Sequence, residues 1–167
     1  GNVGNAIIYG VETLIDFNLK KLFFDKDRLD FNFFINYSFI NSEYLESDEV
    51  GIEGKAVEFV PKHNLKSGFK LGYKNLAINW QTSYLSSQFT DSSNAIEGNL
   101  SGVIGQIPSY LISDLSTSIK FKKWKIESGI NNIFDEIYFT RRATGYPGPG
   151  IIPSPPRNIY LTIELKF

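Results

Sequence analysis

The sequence contains no cysteine, and it has one histidine among its 167 residues. Without cysteine the chain has no disulfide, no thiolate metal site and no cysteine nucleophile. A single imidazole without thiolates also disfavours a metal cage of the zinc type. No apolar run reaches the roughly 18 residues that a transmembrane helix needs, so we expect none. The absence of cysteine is compatible with an oxidising compartment such as the periplasm.

Charge of either sign is not in excess, because 17 Lys and Arg residues stand against 18 Asp and Glu residues. This balance lacks the basic excess of a nucleic-acid-binding domain, and we predict no nucleic-acid partner. No signal peptide opens the sequence and Gly1 is not a natural start, so we expect a mature, trimmed or fragmentary chain. Aromatic residues, in contrast, reach 15%, and both β-sheets and membrane interfaces use such side chains.

Apolar residues recur at every second position along most of the chain. Between residues 29 and 39 the odd positions are Leu, Phe, Phe, Ile, Tyr and Phe, and the positions between them are mostly Asp, Asn and Ser. A repeat of two predicts a β-strand whose two faces meet different environments. The same repeat occurs in segments 9–19, 29–39, 65–73, 76–84, 111–121, 124–130 and 159–167. We predict about seven strands, most of them longer than the roughly five or six residues usual in soluble sheets.

The connections between these segments alternate between short and long. The short ones lie at Phe24–Arg28, Lys74–Asn75 and Lys122–Lys123, and the long ones at Glu43–Lys62, Asp91–Pro108 and Thr140–Arg157. Since alternate connections of an antiparallel sheet lie at opposite ends, all short turns share one end and all long loops the other, as in outer-membrane barrels. Aromatic residues at both ends are expected to lie where lipid tails meet headgroups. They are Phe23, Phe24, Tyr73, Phe121, Trp124 and Phe167 at the short-turn end, and Tyr37, Phe39, Tyr44, Tyr84, Phe89, Tyr110 and Tyr138 at the long-loop end.

An alternating pattern fits a transmembrane barrel, and it also fits a soluble sandwich or a lipocalin-like barrel. Charges on the polar face of nearly every strand, and strand lengths near the roughly 9–11 residues that cross a bilayer, favour the membrane. The odd-numbered positions of the last strand, such as Leu161 and Leu165, are then expected to face lipid. The polar positions are expected to form a wet wall against water or a plug domain: Asp16, Lys70, Gln81, Asp114, Lys120, Glu127 and Glu164. Because an open sheet leaves backbone groups unpaired in hydrocarbon, these strands need partners from upstream sequence.

The end of the chain carries a family resemblance. Residues 129–138, Gly-Ile-Asn-Asn-Ile-Phe-Asp-Glu-Ile-Tyr, resemble the N-[L/I]-F-D-x-x-Y segment near the end of TonB-dependent receptors. The terminal Phe167 is similar to the signal that barrel-assembly machinery recognises, and Tyr9–Glu12 is similar to a mid-barrel strand of these receptors. The loop Thr140–Pro153 resembles the final extracellular loop of ferric-citrate-type receptors. The resemblance implies that residues 1–167 are the C-terminal part of an all-β, transmembrane antiparallel β-barrel of roughly 22 strands.

The same resemblance implies a receptor in the bacterial outer membrane that takes up a ferric chelate, either ferric citrate or another siderophore complex. Its expected partners are outer-membrane lipid, upstream barrel strands, an N-terminal plug domain that this chain lacks, and the TonB complex, which acts through the plug. The chelate is the transported ligand, and neither a cofactor nor enzymatic activity is expected. Two alternatives remain: a passive porin-like or structural barrel, and a barrel enzyme that uses His63 as its base.

Candidate ligand-binding residues lie in the last long loop, which the resemblance places on the cell exterior. Arg141, Arg142 and Tyr146 are the predicted contacts with the chelate, since a ferric citrate complex is anionic and arginine binds carboxylates through two parallel hydrogen bonds. The alternative is that the arginines are solvated loop charges. The run Gly145–Pro156 is predicted to be a stiff, irregular loop that covers a ligand, folds onto a plug or is a passive cap, and Arg157 marks a strand start.

Overall fold

The computed structural model describes residues 3–18, 29–145 and 148–167 of the chain. Its secondary structure consists of β-strands and their connections. Within these ranges no helix is long and apolar enough to cross a membrane. The strands are β1 (Asn5–Asn18), β2 (Leu29–Glu46), β3 (His63–Tyr73), β4 (Leu76–Leu85), β5 (Gln88–Phe89), β6 (Gln106–Ile107), β7 (Tyr110–Phe121), β8 (Trp124–Asn131), β9 (Phe139–Ala143), β10 (Gly150–Pro153) and β11 (Asn158–Leu165).

Seven of these strands form one antiparallel sheet in the order β1-β2-β3-β4-β7-β8-β11. The two-stranded ribbon β5–β6 lies within the connection from β4 to β7, and the ribbon β9–β10 lies within the connection from β8 to β11. This is the predicted meander, and the all-β antiparallel fold is confirmed. In the described part of the chain β1 and β11 are the two edges of the sheet. Both edges need further strands in a membrane, because unpaired backbone groups are costly in hydrocarbon.

The pairing register divides the sheet into two chemically distinct faces. Residues directly opposed in an antiparallel pair point to the same side. One such row crosses all seven strands and is apolar throughout: Phe17, Phe33, Phe69, Trp80, Leu115, Ile130 and Ile159. The neighbouring row, on the opposite side, contains Asp16, Phe34, Gly68, Gln81 and Asp114. The sheet therefore has one apolar face, which we call the outward face, and one mostly polar face, which we call the inward face.

The outward face has no second layer of protein packed against it in the described residues. The buried apolar side chains of the described residues are Tyr44, Ile52 and Ile107, and all three lie in or beside the long connections. Outward residues near the sheet edge stay open, with Ile159 73% and Leu161 65% exposed. A soluble monomer rarely exposes so extensive an apolar surface. The arrangement fits contact with lipid and does not fit the dry interior of a sandwich.

The connections have the predicted asymmetry. The two described short connections, Lys74–Asn75 and Lys122–Lys123, are two-residue turns, and the predicted short connection Phe24–Arg28 lies outside the described residues. The long connections are residues 47–62, 86–109 and 132–157, which we call the first, second and third outer loops. The register places all three at the end of the sheet opposite to the short turns.

The third outer loop is more regular than predicted. Phe139–Ala143 and Gly150–Pro153 pair as the ribbon β9–β10. The prediction of an irregular loop over Gly145–Pro156 is therefore wrong for the part that forms β10, and Arg141 and Arg142 lie on a strand. The physical reason is that β9 contains no glycine or proline, so that its backbone groups are able to pair with those of β10.

Aromatic residues line the outward rim at the short-turn end. Tyr73 is opposite Leu76 across the first turn, and Phe121 is opposite Trp124 across the second. All four belong to the outward face, as the predicted girdle requires. Phe23 and Phe24 lie outside the described residues, and Phe167 follows β11 with its side chain fully exposed.

At the opposite end the predicted outer girdle is only partly right. Tyr37, Phe39 and Tyr84 face outward, whereas Tyr44 and Tyr110 face inward. The assignment of Tyr44 and Tyr110 to an outer girdle is wrong because both occupy inward positions of the strand alternation. Tyr138 packs against Tyr110, with 4.9 Å between the ring centres. Phe89 lies on β5, within the second outer loop.

Candidate functional site

The inward face carries the polar side chains that were predicted to form a wet wall. The register places all seven on this face: Asp16, Lys70, Gln81, Asp114, Lys120, Glu127 and Glu164. A concavity of ≈ 570 Å³ runs along the face near the short turns, and lysine, carboxylate, hydroxyl and amide groups line it. Leu29, Leu76 and Ala77 also belong to the lining, and its charged and amide side chains suit contact with water or a polar protein surface.

Two lysines oppose each other on this wall. Lys120 on β7 is the direct cross-strand partner of Lys125 on β8, an arrangement that is unfavourable for two like charges. Lys125 Nζ lies 2.8 Å from Glu127 Oε2, and the next strand places Glu164 opposite Lys125. The two carboxylates offset the repulsion, so that the wall is locally balanced in charge.

Glycines on the inward face make room for aromatic rings of neighbouring strands. A Cβ atom at Gly68 would lie 2.9 Å from Phe34 Cε1, and one at Gly129 would lie 2.5 Å from Tyr160 Cε1. Both rings therefore occupy the space that a Cβ atom would need, the arrangement known as aromatic rescue of a strand glycine. The sequence signal for this packing is a glycine opposite an aromatic residue, and it can be recognised only once the register is known.

The first and second outer loops are joined by hydrogen bonds. The Asn94 side chain donates through Nδ2 to the Ala56 carbonyl and accepts from the Ala56 amide, both at 2.8 Å. The Phe59 amide donates to the Phe89 carbonyl at 2.9 Å. Asn94 and Phe59 have left-handed φ angles of 54° and 57°. Neither contact follows from strand periodicity, because each depends on how the loops return across the sheet end.

Tyr44 fastens the first outer loop to the end of β2. Its hydroxyl donates to Glu58 Oε2 at 2.7 Å. Strand residues rise about 3.3 Å and barrel strands tilt about 45°, so Tyr44 stands roughly 35 Å above Leu29, beyond an apolar band of about 25 Å. Burial, followed by the hydrogen bond to Glu58, raises the pKa of Tyr44 to about 12. The phenol therefore stays protonated and acts as a fixed donor to the loop.

Arg142 joins the second and third outer loops. Its guanidinium donates through Nη1 to the Gly102 carbonyl at 2.9 Å and through Nη2 to the Gln106 carbonyl at 3.0 Å. The guanidinium carbon also lies 5.2 Å from the centre of the Phe139 ring, within the range of a cation–π contact. The Arg142 Nε is buried and has no partner among the described residues. Arg142 thus makes contacts within the protein that the sequence did not reveal.

The structure does not bring the three predicted ligand contacts together. Arg141 and Arg142 are consecutive on β9, so their side chains point to opposite faces of the ribbon. Arg141 is exposed, and no hydrogen bond or ion pair links its side chain to another described residue. Tyr146 lies outside the described residues. A role of any of the three in chelate binding stays a prediction.

The segment that carries the family resemblance forms the foot of the third outer loop. Asn132 is 3% exposed, and its side chain donates to the Glu136 carbonyl and accepts from the Glu136 amide, both at 2.9 Å. The Asn132 amide donates to Asp114 Oδ1 at 2.8 Å. Arg157 completes the foot, since its amide donates to Asp135 Oδ1 at 3.0 Å. The asparagine and aspartate of this segment therefore shape the start of the loop.

His63 lies at the start of β3 and on the outward face, opposite Phe39. Its Nδ1 is 2.8 Å from the Tyr37 hydroxyl, and its ring stacks on that of Tyr37. The Ser86 hydroxyl contacts the backbone amide of His63 and leaves the imidazole to Tyr37. The barrel-enzyme hypothesis needs a serine against the imidazole, and this position at the membrane-facing rim does not supply it. Across the described ranges, no three His, Asp or Glu residues are grouped to hold a metal ion.

Comparison with known proteins gives a consistent result. Residues 1–133 match the family model described as TonB dependent receptor-like, beta-barrel. The ferric citrate transporter FecA, in its unliganded form, is 28% identical with a TM-score of 0.83 over 97% of this chain. The ferric yersiniabactin uptake receptor FyuA from Yersinia pestis is 19% identical, with a TM-score of 0.76 over 99% of this chain. The siderophore receptor PiuA from Acinetobacter baumannii is 20% identical, with a TM-score of 0.72 over 99% of this chain. The last two likenesses concern the fold alone.

This chain spans about a quarter of the length of these solved proteins. It covers 24% of the FecA chain, 24% of the FyuA chain and 22% of the PiuA chain. Because a bilayer-spanning barrel must close on itself, an open sheet of this size fits a sector of such a barrel. The matches do not favour the alternative of a passive porin-like channel, since they are to TonB-dependent receptors.

Proposed function

Because this chain belongs to the TonB-dependent receptor β-barrel family, we propose that it supplies part of the wall and three outer loops of a receptor that takes up a ferric chelate. Barrels of this family lie in the bacterial outer membrane and are transport receptors, not enzymes. The predicted family, fold, location and lack of enzymatic activity are thereby confirmed. Membership of this family therefore argues against the hypothesis of a barrel enzyme that uses His63.

The observation that carries the proposal is the division of the sheet into two faces. An apolar row runs from Phe17 to Ile159 across all seven strands on one side, while charged and amide side chains occupy the other. A receptor barrel needs hydrocarbon-compatible side chains outside and polar ones inside. We propose that the inward face surrounds an N-terminal plug domain, and that upstream strands pair with the open edges to close a barrel of roughly 22 strands.

We propose an anionic ferric chelate, with ferric citrate as the first candidate, as the ligand. Support comes from the 28% identity to a ferric citrate transporter and from the charges of the outer loops. The third outer loop carries three arginines against two carboxylates. The first has four carboxylates against two lysines, and the second has two carboxylates and no Lys or Arg. The three loops together are net negative, and the third is the one of the three with a net positive charge. An anion that enters this mouth would therefore be drawn to the third outer loop.

Arg141 is the proposed direct contact with the chelate. Its guanidinium is exposed on the third outer loop and retains its five donors for a carboxylate. Arg142 donates two hydrogen bonds to the carbonyls of Gly102 and Gln106, so we assign it a positioning role that keeps β9 in place. Tyr146 belongs to the proposed site by its position in the same loop. No resident cofactor is proposed, because the iron travels as cargo.

The proposal is tested by binding measurements on the full-length receptor. Titration with ferric citrate, haem and a neutral siderophore complex should give the tightest binding to ferric citrate. Arg141→Gln should weaken that binding by about 1–3 kcal/mol, the cost of losing a charged hydrogen bond. Lys55→Gln in the first outer loop removes the same charge and should have little effect. Tight binding of the neutral complex alone, or identical binding by the Arg141→Gln and native receptors, contradicts the proposed ligand or site.

Energy coupling separates a receptor from a passive channel. We propose that the TonB complex acts on the plug and that uptake of the bound chelate depends on it. Uptake of radiolabelled chelate by cells that produce the full-length receptor should stop when the TonB complex is inactivated, while binding at the cell surface persists. Uptake that continues at the same rate without the complex supports the porin-like alternative.

A further inference from the structure

The outward rim at the short-turn end combines aromatic rings with lysines. Lys74 Nζ lies 5.2 Å from the centre of the Tyr73 ring, and Lys122 Nζ lies 5.5 Å from the centre of the Phe121 ring. Both rings belong to the outward face, so both ammonium groups are held at the outer edge of the sheet. Lys123 follows Lys122 in the same turn. We call Lys74, Lys122 and Lys123 the rim lysines.

Two of the rim lysines adopt a backbone conformation that is unusual for lysine. The φ angles of Lys74 and Lys122 are 53° and 52°, in the left-handed region where hairpin turns favour glycine, asparagine or aspartate. In the first turn Asn75 occupies the second turn position, and Lys74 occupies the first, which has the left-handed φ angle. A lysine with a left-handed φ angle in both turns indicates that the lysine side chain has a function at these positions.

The side-chain carboxylates that the structure describes at this end are on the other side of the sheet. Asp30, Glu127 and Glu164 all occupy inward positions in the register. The outward positions next to the turns are Leu29, Tyr73, Leu76, Phe121, Trp124 and Leu165. Among the described residues, the outward rim therefore offers positive charge with no side-chain carboxylate to neutralise it. The natural complement is an anion that lies outside the sheet at the depth of the aromatic rings.

We propose that this rim binds the phosphate groups of anionic phospholipids in the membrane leaflet at the short-turn end. The two turns are separated by two strand spacings, or about 10 Å, so neighbouring headgroups can occupy both. The rings contact the upper acyl chains, and the ammonium groups of Lys74 and Lys122 reach a phosphate without leaving their rings. A zwitterionic headgroup brings its own cation and competes with the lysines, whereas an anionic headgroup does not. The proposal requires only that the sheet spans a membrane, and it is independent of the transported ligand.

Trp124 provides a local reporter, since its ring is on the outward face opposite Phe121. The full-length receptor is placed in phosphatidylcholine vesicles that contain either brominated phosphatidylglycerol or brominated phosphatidylcholine, and quenching of tryptophan fluorescence is measured. The difference between the native receptor and Trp124→Phe isolates the signal of this residue. We expect brominated phosphatidylglycerol to quench Trp124 at lower mole fraction than brominated phosphatidylcholine does.

Substitution of the rim lysines gives the decisive comparison. The variant Lys74→Gln/Lys122→Gln/Lys123→Gln should lower the preference for phosphatidylglycerol by roughly fivefold for each lysine removed, until the two lipids quench alike. The arginine triple variant keeps the charge and should retain the preference. A control with the same change in net charge, Lys66→Gln/Lys70→Gln/Lys120→Gln, alters only inward positions and should retain it as well.

Two further arms identify the source of the phosphate and the nature of the attraction. Raising the salt concentration to about 0.5 M should reduce the preference by screening, and free inorganic phosphate in the millimolar range should leave it unchanged. The proposal is overturned if the native receptor shows no preference at Trp124, or if the inward control loses as much of it as the rim variant. Should the glutamine variant fail to assemble, loss of the preference in the arginine variant also contradicts the proposal.

Discussion

Replacing Leu161 by arginine places a charge on the outward face of β11, near the middle of the proposed apolar band. Leu161 pairs with Ser128 on β8, and the same pairing ends at Leu165 opposite Trp124 on the short-turn rim. With a rise of about 3.3 Å per residue and a tilt near 45°, Leu161 stands about 10 Å above that rim. This height is close to half the thickness of an apolar band of about 25 Å, which places Leu161 near the middle of the membrane. The native side chain is 65% exposed, so an arginine finds no protein cover.

The expected cost follows from this depth. An arginine that faces lipid at the bilayer midplane destabilises a barrel by about 2–4 kcal/mol, and near the interface the cost falls to about 0–1 kcal/mol. Leu161→Arg should therefore lower the free energy of unfolding by about 2–4 kcal/mol. Leu165→Arg, at the rim, should cost less than about 1 kcal/mol because its guanidinium reaches the headgroups.

Thr162→Arg is the matched control, since Thr162 is the next residue on the same strand and faces inward, opposite Glu127. The full-length receptor and its variants are refolded into phospholipid vesicles, and the free energy of unfolding is measured by denaturant titration. We expect Thr162→Arg to change the unfolding free energy by less than half of the effect of Leu161→Arg. Equal effects of the two variants, or a larger effect of Thr162→Arg, would refute the assignment of the faces.

Three other substitutions test the packing of the loops and the inward face. Arg142→Lys removes the guanidinium that binds the carbonyls of Gly102 and Gln106, so amide hydrogen exchange in the second outer loop should accelerate. Arg141→Lys should leave the exchange rates unchanged. Identical exchange rates in the two variants would contradict the positioning role of Arg142. Gly129→Ala forces a Cβ against the Tyr160 ring and should lower the free energy of unfolding by about 1–3 kcal/mol. Adding Tyr160→Ala to the same chain should largely relieve this loss. Additive losses of the two substitutions would rule out the steric cause. Asn132→Ala removes two hydrogen bonds to the Glu136 backbone and should cost about 1–3 kcal/mol. An unchanged midpoint of unfolding would show that the start of the third outer loop does not depend on this side chain.

Strand periodicity was sufficient to predict most of the fold. The alternation from Leu29 to Phe39 identifies one apolar face, and the structure extends the same strand to Glu46. The extension was missed because polar residues dominate both faces there, while pairing with β1 continues as far as Asn5. Tyr44 and Phe34 are both even-numbered residues of β2, so both face inward. The girdle prediction missed this because it assigned aromatic residues by the end of the sheet and did not apply the alternation.

The candidate site was much less predictable than the sheet. Its arginines were found because their chemistry suits an anion, but the division of work between Arg141 and Arg142 depends on which way each side chain leaves β9. The two carbonyls that receive Arg142 come from Gly102 and Gln106, in a different loop. Contacts between loops arise from tertiary arrangement and have no periodic signal in the sequence. The same holds for the Asn94 bridge to the first outer loop.

Spin labels along β11 measure whether the apolar face of these strands touches lipid hydrocarbon. Single labels are attached through cysteines introduced at positions 159–165 of a full-length receptor without other cysteines. Their collision rates with oxygen, which dissolves in lipid, and with a water-soluble nickel chelate are then compared. If lipid covers the apolar face, oxygen accessibility should alternate along β11, with odd positions accessible to oxygen and even positions shielded from it. Labels at Leu161→Cys and Ile163→Cys that meet the nickel chelate as readily as one at Thr162→Cys, or that meet neither reagent, would contradict the account.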